Sequence, residues 1–300
     1  MKHILKGLVF YPLAGMLYFI SLLPLPLLYG ASSAIFYLIC YVVKYRRSVV
    51  RENLIRSFPD LPLPEIISIE KKYYRHLTDL LVEGVWALTA SGRQIQRRCR
   101  FENIEALDDH CAQGRDVIVI MGHLGNWEWS GLSMSVSGRH KLRALYRPLK
   151  DPFFNRFFLR FRSRLGGQMI PMQQAVRYMI ARNEQPVCTT FIADQTPPPE
   201  TALWTEFLHQ DTPFFTGYDA IARKFQLPVV MAIVKKKKRG YYTIRLETMA
   251  ENAGDLESGR LVRMFAHRLE KAIQEQPAYW LWSHRRWKHK RKKEDRDQEK

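Results

Sequence analysis

Between residues 7 and 43 the chain carries no charged side chain, reading GLVFYPLAGMLYFISLLPLPLLYGASSAIFYLICYVV. A helix that crosses a bilayer needs about 20 apolar residues, and a buried helix of a water-soluble domain needs fewer. The run therefore predicts a membrane segment. Pro24 and Pro26 divide it into two apolar stretches, so it forms either a spanning helix followed by an interfacial one or a shallow hairpin. A cleaved secretion signal is disfavoured, because the apolar region is too long and Lys44, Arg46, Arg47 and Arg51 follow it directly. Those cations place what comes next on the cytoplasmic side of a membrane.

At 300 residues the chain can bury one large core. Its 47 Lys and Arg against 29 Asp and Glu leave a formal charge of +18. Such an excess suits a polyanionic partner, whether nucleic acid, an anionic membrane surface or a phosphorylated substrate. The long uncharged run argues against nucleic acid. Cys40, Cys99, Cys111 and Cys188 are scattered without metal-ligand spacing, so neither a metal site nor a disulfide framework is expected and a reducing compartment fits. No phosphate loop, no dinucleotide fingerprint and no internal repeat is present, which disfavours nucleotide-dependent chemistry.

Apolar periodicity predicts a long helix at 65–88, whose apolar side reads as packing surface and whose His76 reads as structural or solvated. Beyond residue 101 strands and helices alternate. Strands are predicted at 117–121, 142–146, 169–170 and 187–193, and helices at 104–112, 126–136, 152–164 and ending at 180. A strand at 229–234, a basic turn at 235–240, a strand at 241–246 and a helix at 261–273 follow. This pattern indicates the α/β class: a mixed, largely parallel sheet flanked by helices, with an N-terminal membrane-anchoring helical segment. The expected division is an anchor at 1–47, a catalytic domain at 48–288 and a charged tail at 289–300.

Ligands of such sheets bind beyond the carboxyl ends of strands, and two candidate residues fall there. His123 follows the apolar strand and Glu128 sits on the first turn of a helix capped by Asn126. A carboxylate on one ring nitrogen makes a histidine a directed general base at the other, and Glu128 is the expected carboxylate. No serine or cysteine lies between them, so the base would act on a hydroxyl of the substrate. Asp194 ends the second strand before a proline run, placed to orient an arginine or a substrate hydroxyl. Arg160, Arg162 and Arg164 alternate on a helix rich in phenylalanine, which suits a lipid or acyl surface as well as core packing. The closing run Tyr279 to Lys288 interleaves aromatic and cationic residues, a composition suited to a membrane interface.

Taken in order, the apolar amino terminus, His123-x4-Glu128, the Tyr146-Arg147-Pro148 segment, Arg162-Ser163-Arg164, Ala193-Asp194-Gln195, Thr216-Gly217 and Trp280-Leu281-Trp282-Ser283-His284-Arg285 resemble the bacterial lipid A biosynthesis acyltransferases. The resemblance covers nearly the whole chain. It implies that His123 is the catalytic base and Glu128 its partner, and that Arg162, or failing it Arg164, completes the site with Asp194. Arg147, Asn126 and Gln195 join the expected substrate-binding set. It further implies direct acyl transfer without cofactor, an acyl carrier protein as donor and a phosphorylated lipid as acceptor. The expected location is the bacterial inner membrane, with the catalytic domain facing the cytoplasm. Acylation of another lipid, with acyl coenzyme A as donor, and non-catalytic binding to a membrane surface are the alternatives.

Overall fold

The structure is a computed structural model that describes residues 2–181 and 183–291, leaving aside the side chains of residues 2–6 and 9. Of the expected tail, 292–300 lie outside the described residues. The uncharged run folds as two helices, α1 (Lys2–Ser21) and α2 (Leu25–Tyr37), the latter continued by a π-helical stretch at Leu38–Val42. They part at Pro24, the N-cap of α2, where a proline ring excludes a continuous helix. Leu25–Val42, with a mean hydropathy of 1.7, is the one helical stretch among the described residues long and apolar enough to cross a membrane. One face of α2 is buried through Leu25, Leu28, Ser32 and Phe36. Leu27, Tyr37, Tyr41, Val42 and Val43 stand exposed, as do Leu8, Tyr11, Met16 and Phe19 of α1.

Next come α3 (Arg47–Ser57), α4 (Leu63–Trp86) and α5 (Gly92–Arg98). Pro64 opens α4, where its missing N–H costs nothing. The buried side of α4 is not the plain packing surface that its periodicity predicts. Glu70, His76, Asp79 and Glu83 lie there among Ile66, Tyr73, Tyr74 and Val82. Arg47 and Arg51 both close on Glu70, so two of the cations that follow the apolar run are spent on internal ion pairs.

The sheet is assembled from β1 (Cys99–Phe101), α6 (Glu105–Ala112), β2 (Val117–Met121), α7 (Trp127–Ser137), β3 (Lys141–Tyr146), α8 (Pro152–Ser163), β4 (Gln168–Pro171), α9 (Ala175–Ile180) and β5 (Val187–Ile192). The chain continues through β6 (Ala202–Phe207), β7 (Gln210–Phe215), α10 (Gly217–Lys224), β8 (Val229–Lys238), β9 (Tyr241–Ala250) and α11 (Arg260–Glu275). Seven strands run in the order β1-β9-β8-β2-β5-β3-β4, and only the β8–β9 pair is antiparallel. The sheet is thus mixed and largely parallel, as the alternation predicts. Every side chain of β2 is buried. Each such residue contributes about 1.5–3 kcal/mol of burial, which makes β2 a rigid base for whatever follows it.

Two local features differ from expectation. Lys235–Lys238 extend β8 rather than forming a turn, and the chain reverses at Gly240, whose φ of 71° suits glycine. Residues 210–215, where no strand is predicted, form β7, paired with β6 in a separate two-stranded sheet. The aromatic face of α8 meets α1, with the Phe10 ring 5.5 Å from Phe153 and 5.2 Å from Phe154, while Phe161 packs inward.

Candidate active site

β2 and β5 are neighbours in register, with Met121 opposite Ile192. Two residues beyond each of these partners stand His123 and Asp194, so the two side chains leave the same edge of the sheet at the same height. The Asp194 Oδ1 lies 2.6 Å from His123 Nδ1, and Oδ2 accepts the His123 backbone N–H at 2.7 Å and the Trp280 indole N–H at 2.8 Å. Gly122 permits this approach. A Cβ there would fall 2.7 Å from Leu269 Cδ1 and 3.1 Å from Asp194 Oδ2. Gly125, at φ 64°, is needed again, since a Cβ would stand 2.9 Å from the Val234 carbonyl oxygen.

Asp194 is buried, and burial by itself raises a carboxyl. The facing imidazole, with the hydrogen bonds from His123 and Trp280, outweighs that effect and holds it at about 2. It is therefore an anion at neutral pH. Fixing Nδ1 in this way turns Nε2 outward as the basic nitrogen. Gln195 Nε2 sits 3.3 Å from it, and the Trp127 ring packs edge-on at 5.0 Å.

The expected contact between Glu128 and the imidazole is not formed. Glu128 is gripped by Arg162 through Nε at 3.0 Å and Nη2 at 2.6 Å, a bidentate pair across α7 and α8. Strand order explains the correction: β5 delivers Asp194 beside His123, while the first turn of α7 aims Glu128 at α8. Arg164 points elsewhere, donating from Nη2 to the Ala90 carbonyl. Arg162 is thus the arginine that pairs with Glu128. Asn126, expected among the substrate-binding residues, makes internal contacts. It is buried, accepts from Trp129 N–H at 2.9 Å as the cap of α7, and donates to Glu83 Oε2 at 2.7 Å. Arg147 is exposed and lines, with Arg162, Tyr146, Leu149, Asn155, Phe158 and Leu159, a cavity of about 110 Å³.

Sequence reading missed two participants. Trp280 and Trp282, expected at a membrane interface, are buried, and Trp280 supplies a hydrogen bond to Asp194. Arg286, in the same run, is fully buried, with its guanidinium 4.5 Å from the Phe214 ring centroid. Composition could not separate a buried indole from an interfacial one. The second, Glu83, carried no signal beyond being one of several acids on a helix whose periodicity reads as packing surface.

A carboxylate-fixed imidazole thus stands at the edge of a largely parallel sheet, hydrogen-bonded to no serine, threonine or cysteine among the described residues. Residues 2–289 match the family described as bacterial lipid A biosynthesis acyltransferase. The chain belongs to that family and is an acyltransferase. It is 23% identical over 275 residues to the lipid A biosynthesis palmitoleoyltransferase of Escherichia coli (strain K12), covering 91% of this chain and 89% of the relative. To the lauroyltransferase of lipid A biosynthesis from the same organism it is 22% identical over 278 residues, with the same coverage. A lipid A biosynthesis acyltransferase of Haemophilus influenzae is 18% identical over 240 residues, or 80% of this chain and 74% of the relative.

Proposed function

We propose that this chain transfers a fatty acyl group from a carrier-bound thioester to a hydroxyl of a lipid A precursor, with His123 as general base and Asp194 as its orienting partner. The observation that carries the mechanism is the 2.6 Å contact between Asp194 and His123 Nδ1. Nε2 takes the proton of the acceptor hydroxyl, and the oxygen attacks the thioester carbonyl carbon. The tetrahedral oxyanion then collapses, the C–S bond breaks, and the imidazolium returns its proton to the departing thiolate. Asp194 stabilises the imidazolium between those steps. Glu128 acts through Arg162: it occupies Nε and Nη2 and holds the guanidinium plane fixed at the cavity wall. With Arg147, that cavity combines two cations with Phe158, Leu149 and Leu159, a lining suited to an anionic lipid.

Support for a membrane location comes from the exposed apolar residues of α1 and α2. The inner face of α2 hydrogen-bonds to α4 through Ser32 and Tyr29, so α2 lies against the catalytic body with its outer face toward lipid. The cytoplasmic face of the inner membrane fits both the trailing cations and a carrier-borne donor. The excess positive charge suits an acidic carrier protein and a phosphorylated acceptor alike.

The test compares lipids, by mass spectrometry, from cells making the wild-type chain and the His123→Ala variant in a strain lacking the native copy. Lipid A short of one acyl chain in the variant is expected, with the protein still recovered in washed membranes. Unaltered lipid A together with loss of a chain from another lipid would replace the acceptor; retention of activity by the variant would overturn the mechanism.

A further inference from the structure

Helix α4 presents His76, Asp79 and Glu83 along one face, at i, i+3 and i+7. All three are buried, and none touches the proposed reacting atoms. Buried polar side chains are costly unless satisfied, and here each has partners that come from distant parts of the chain. Glu83 Oε2 accepts from Asn126 Nδ2 at 2.7 Å and from the Tyr242 hydroxyl at 2.8 Å, while Oε1 accepts from the Tyr29 hydroxyl at 2.7 Å. The Glu83 backbone carbonyl takes the Trp129 indole N–H at 3.0 Å. His76 Nδ1 lies 3.2 Å from the Lys236 ammonium, which can only donate, so Nε2 carries the proton and donates to the Gly125 carbonyl at 3.2 Å. Burial and the adjacent Lys236 push His76 well below its ordinary range, consistent with that neutral form.

Two residues seven apart on one helix thus grip consecutive residues, Gly125 and Asn126, of the turn that carries His123. We infer that His76 and Glu83 are positioning residues for the acyl-transfer centre, and that Tyr29 couples helix α2 to that centre through the second oxygen of Glu83. Asn126 caps α7 with its oxygen and is held from below through its nitrogen, so freeing it loosens both the turn and the first turn of α7. Asp79 anchors the same face, bound by Arg239, Lys236 and Ser32. Apolar packing could fill this space. A polar network also fixes which atoms meet, which is what a base needs to be held in line with its substrate.

The inference rests on the acyl-transfer reading given above, and its test uses purified full-length protein with acyl carrier protein thioester and the lipid acceptor. Absence of transfer by the wild type refutes that reading; the variants address the clamp alone. Glu83→Ala should lower kcat by on the order of 10²-fold, the cost of misplacing a reacting group by about 1 Å, with KM for the acceptor changed less than about twofold. Glu83→Gln can keep its oxygen toward Asn126 and Tyr242 and turn its amide to the Tyr29 oxygen, so it should restore kcat to within about threefold of wild type. Hydrogen exchange, which needs no substrate, should quicken in peptides spanning 122–129 of Glu83→Ala and not in β5. Should Glu83→Ala fail to fold, Tyr29→Phe carries the test, since it removes one hydroxyl remote from the reacting groups. Its kcat should fall about fivefold at unchanged KM, roughly one hydrogen bond. A Glu83→Ala kcat within threefold of wild type, a Gln variant no better than Ala, or a Tyr29→Phe kcat equal to wild type overturns the inference.

Discussion

Asp194→Asn distinguishes the two carboxylates that could serve His123. An asparagine retains the shape of Asp194 but has one oxygen and one amide nitrogen. Two N–H donors, the His123 backbone and the Trp280 indole, converge on the Oδ2 position at 2.7 and 2.8 Å. Neither can accept, so the asparagine oxygen must stay there and its amide must face His123 Nδ1. That amide donates, which forces the imidazole into the tautomer protonated on Nε2. The nitrogen that should take the acceptor proton is then already protonated. In hydrolases with the same Asp–His relation this exchange costs about 10⁴-fold in kcat, or about 5 kcal/mol of barrier. A loss of that order is expected here, measured by single-turnover acyl transfer with both substrates saturating. Glu128→Gln, which leaves the imidazole alone and weakens only the grip on Arg162, should lose far less. If Asp194→Asn keeps more than about a tenth of wild-type kcat while Glu128→Gln loses about 10³-fold or more, the assignment of roles is reversed and the tautomer argument fails.

Two further outcomes follow from the same geometry. Arg162→Lys keeps a cation but loses the bidentate fork, so KM for the lipid acceptor should rise about 10-fold, the worth of one charge-assisted hydrogen bond, with kcat affected less; an unchanged KM would remove Arg162 from acceptor binding. Burial, then the nearby Arg286, pushes His284 down to about 4 from 6.5, and its Nε2 accepts from the Thr196 N–H. The unfolded chain therefore binds a proton near 6.5 that the folded chain refuses until about 4, so the stability it contributes is complete above 6.5 and is lost as pH falls toward 4. Denaturant midpoints should drop more steeply between pH 7 and 4.5 for wild type than for His284→Gln, and parallel slopes would rule this out.

Much of the fold was legible because its determinants are local. The fully apolar strand at 117–121, the proline that opens α4 and the asparagine that caps α7 act within a few residues of themselves, and each element stands where its sequence places it. The β6–β7 hairpin was not legible. Its turn is Leu208–His209, with φ of 50° and 60°, and it has none of the glycine, asparagine or aspartate that marks such a turn. Tertiary contacts hold it instead: Leu208 is buried and its N–H is taken by Glu270 Oε2 at 3.0 Å. The terminal run of tryptophans and arginines misled for a related reason. Amphipathic side chains suit a membrane surface and a polar-lined core equally well, and only the packing of Trp280 on Phe207, of Trp282 on Trp280 and of Arg286 on Phe214 selects the core.

The site divides along the same line. By itself the sequence determined that His123 stands at a strand end with no protein nucleophile beside it, that Asp194 ends another strand, and that Glu128 and Arg162 lie on helices nearby. Which carboxylate meets the imidazole was decided by tertiary structure alone. It depends on β5 lying next to β2 in a register that sets Met121 against Ile192, although β3 and β4 intervene in the chain. Spacing along a chain constrains what a turn can bring together; strand order is settled only when the whole sheet buries its faces, and it placed Asp194 where Glu128 had been expected.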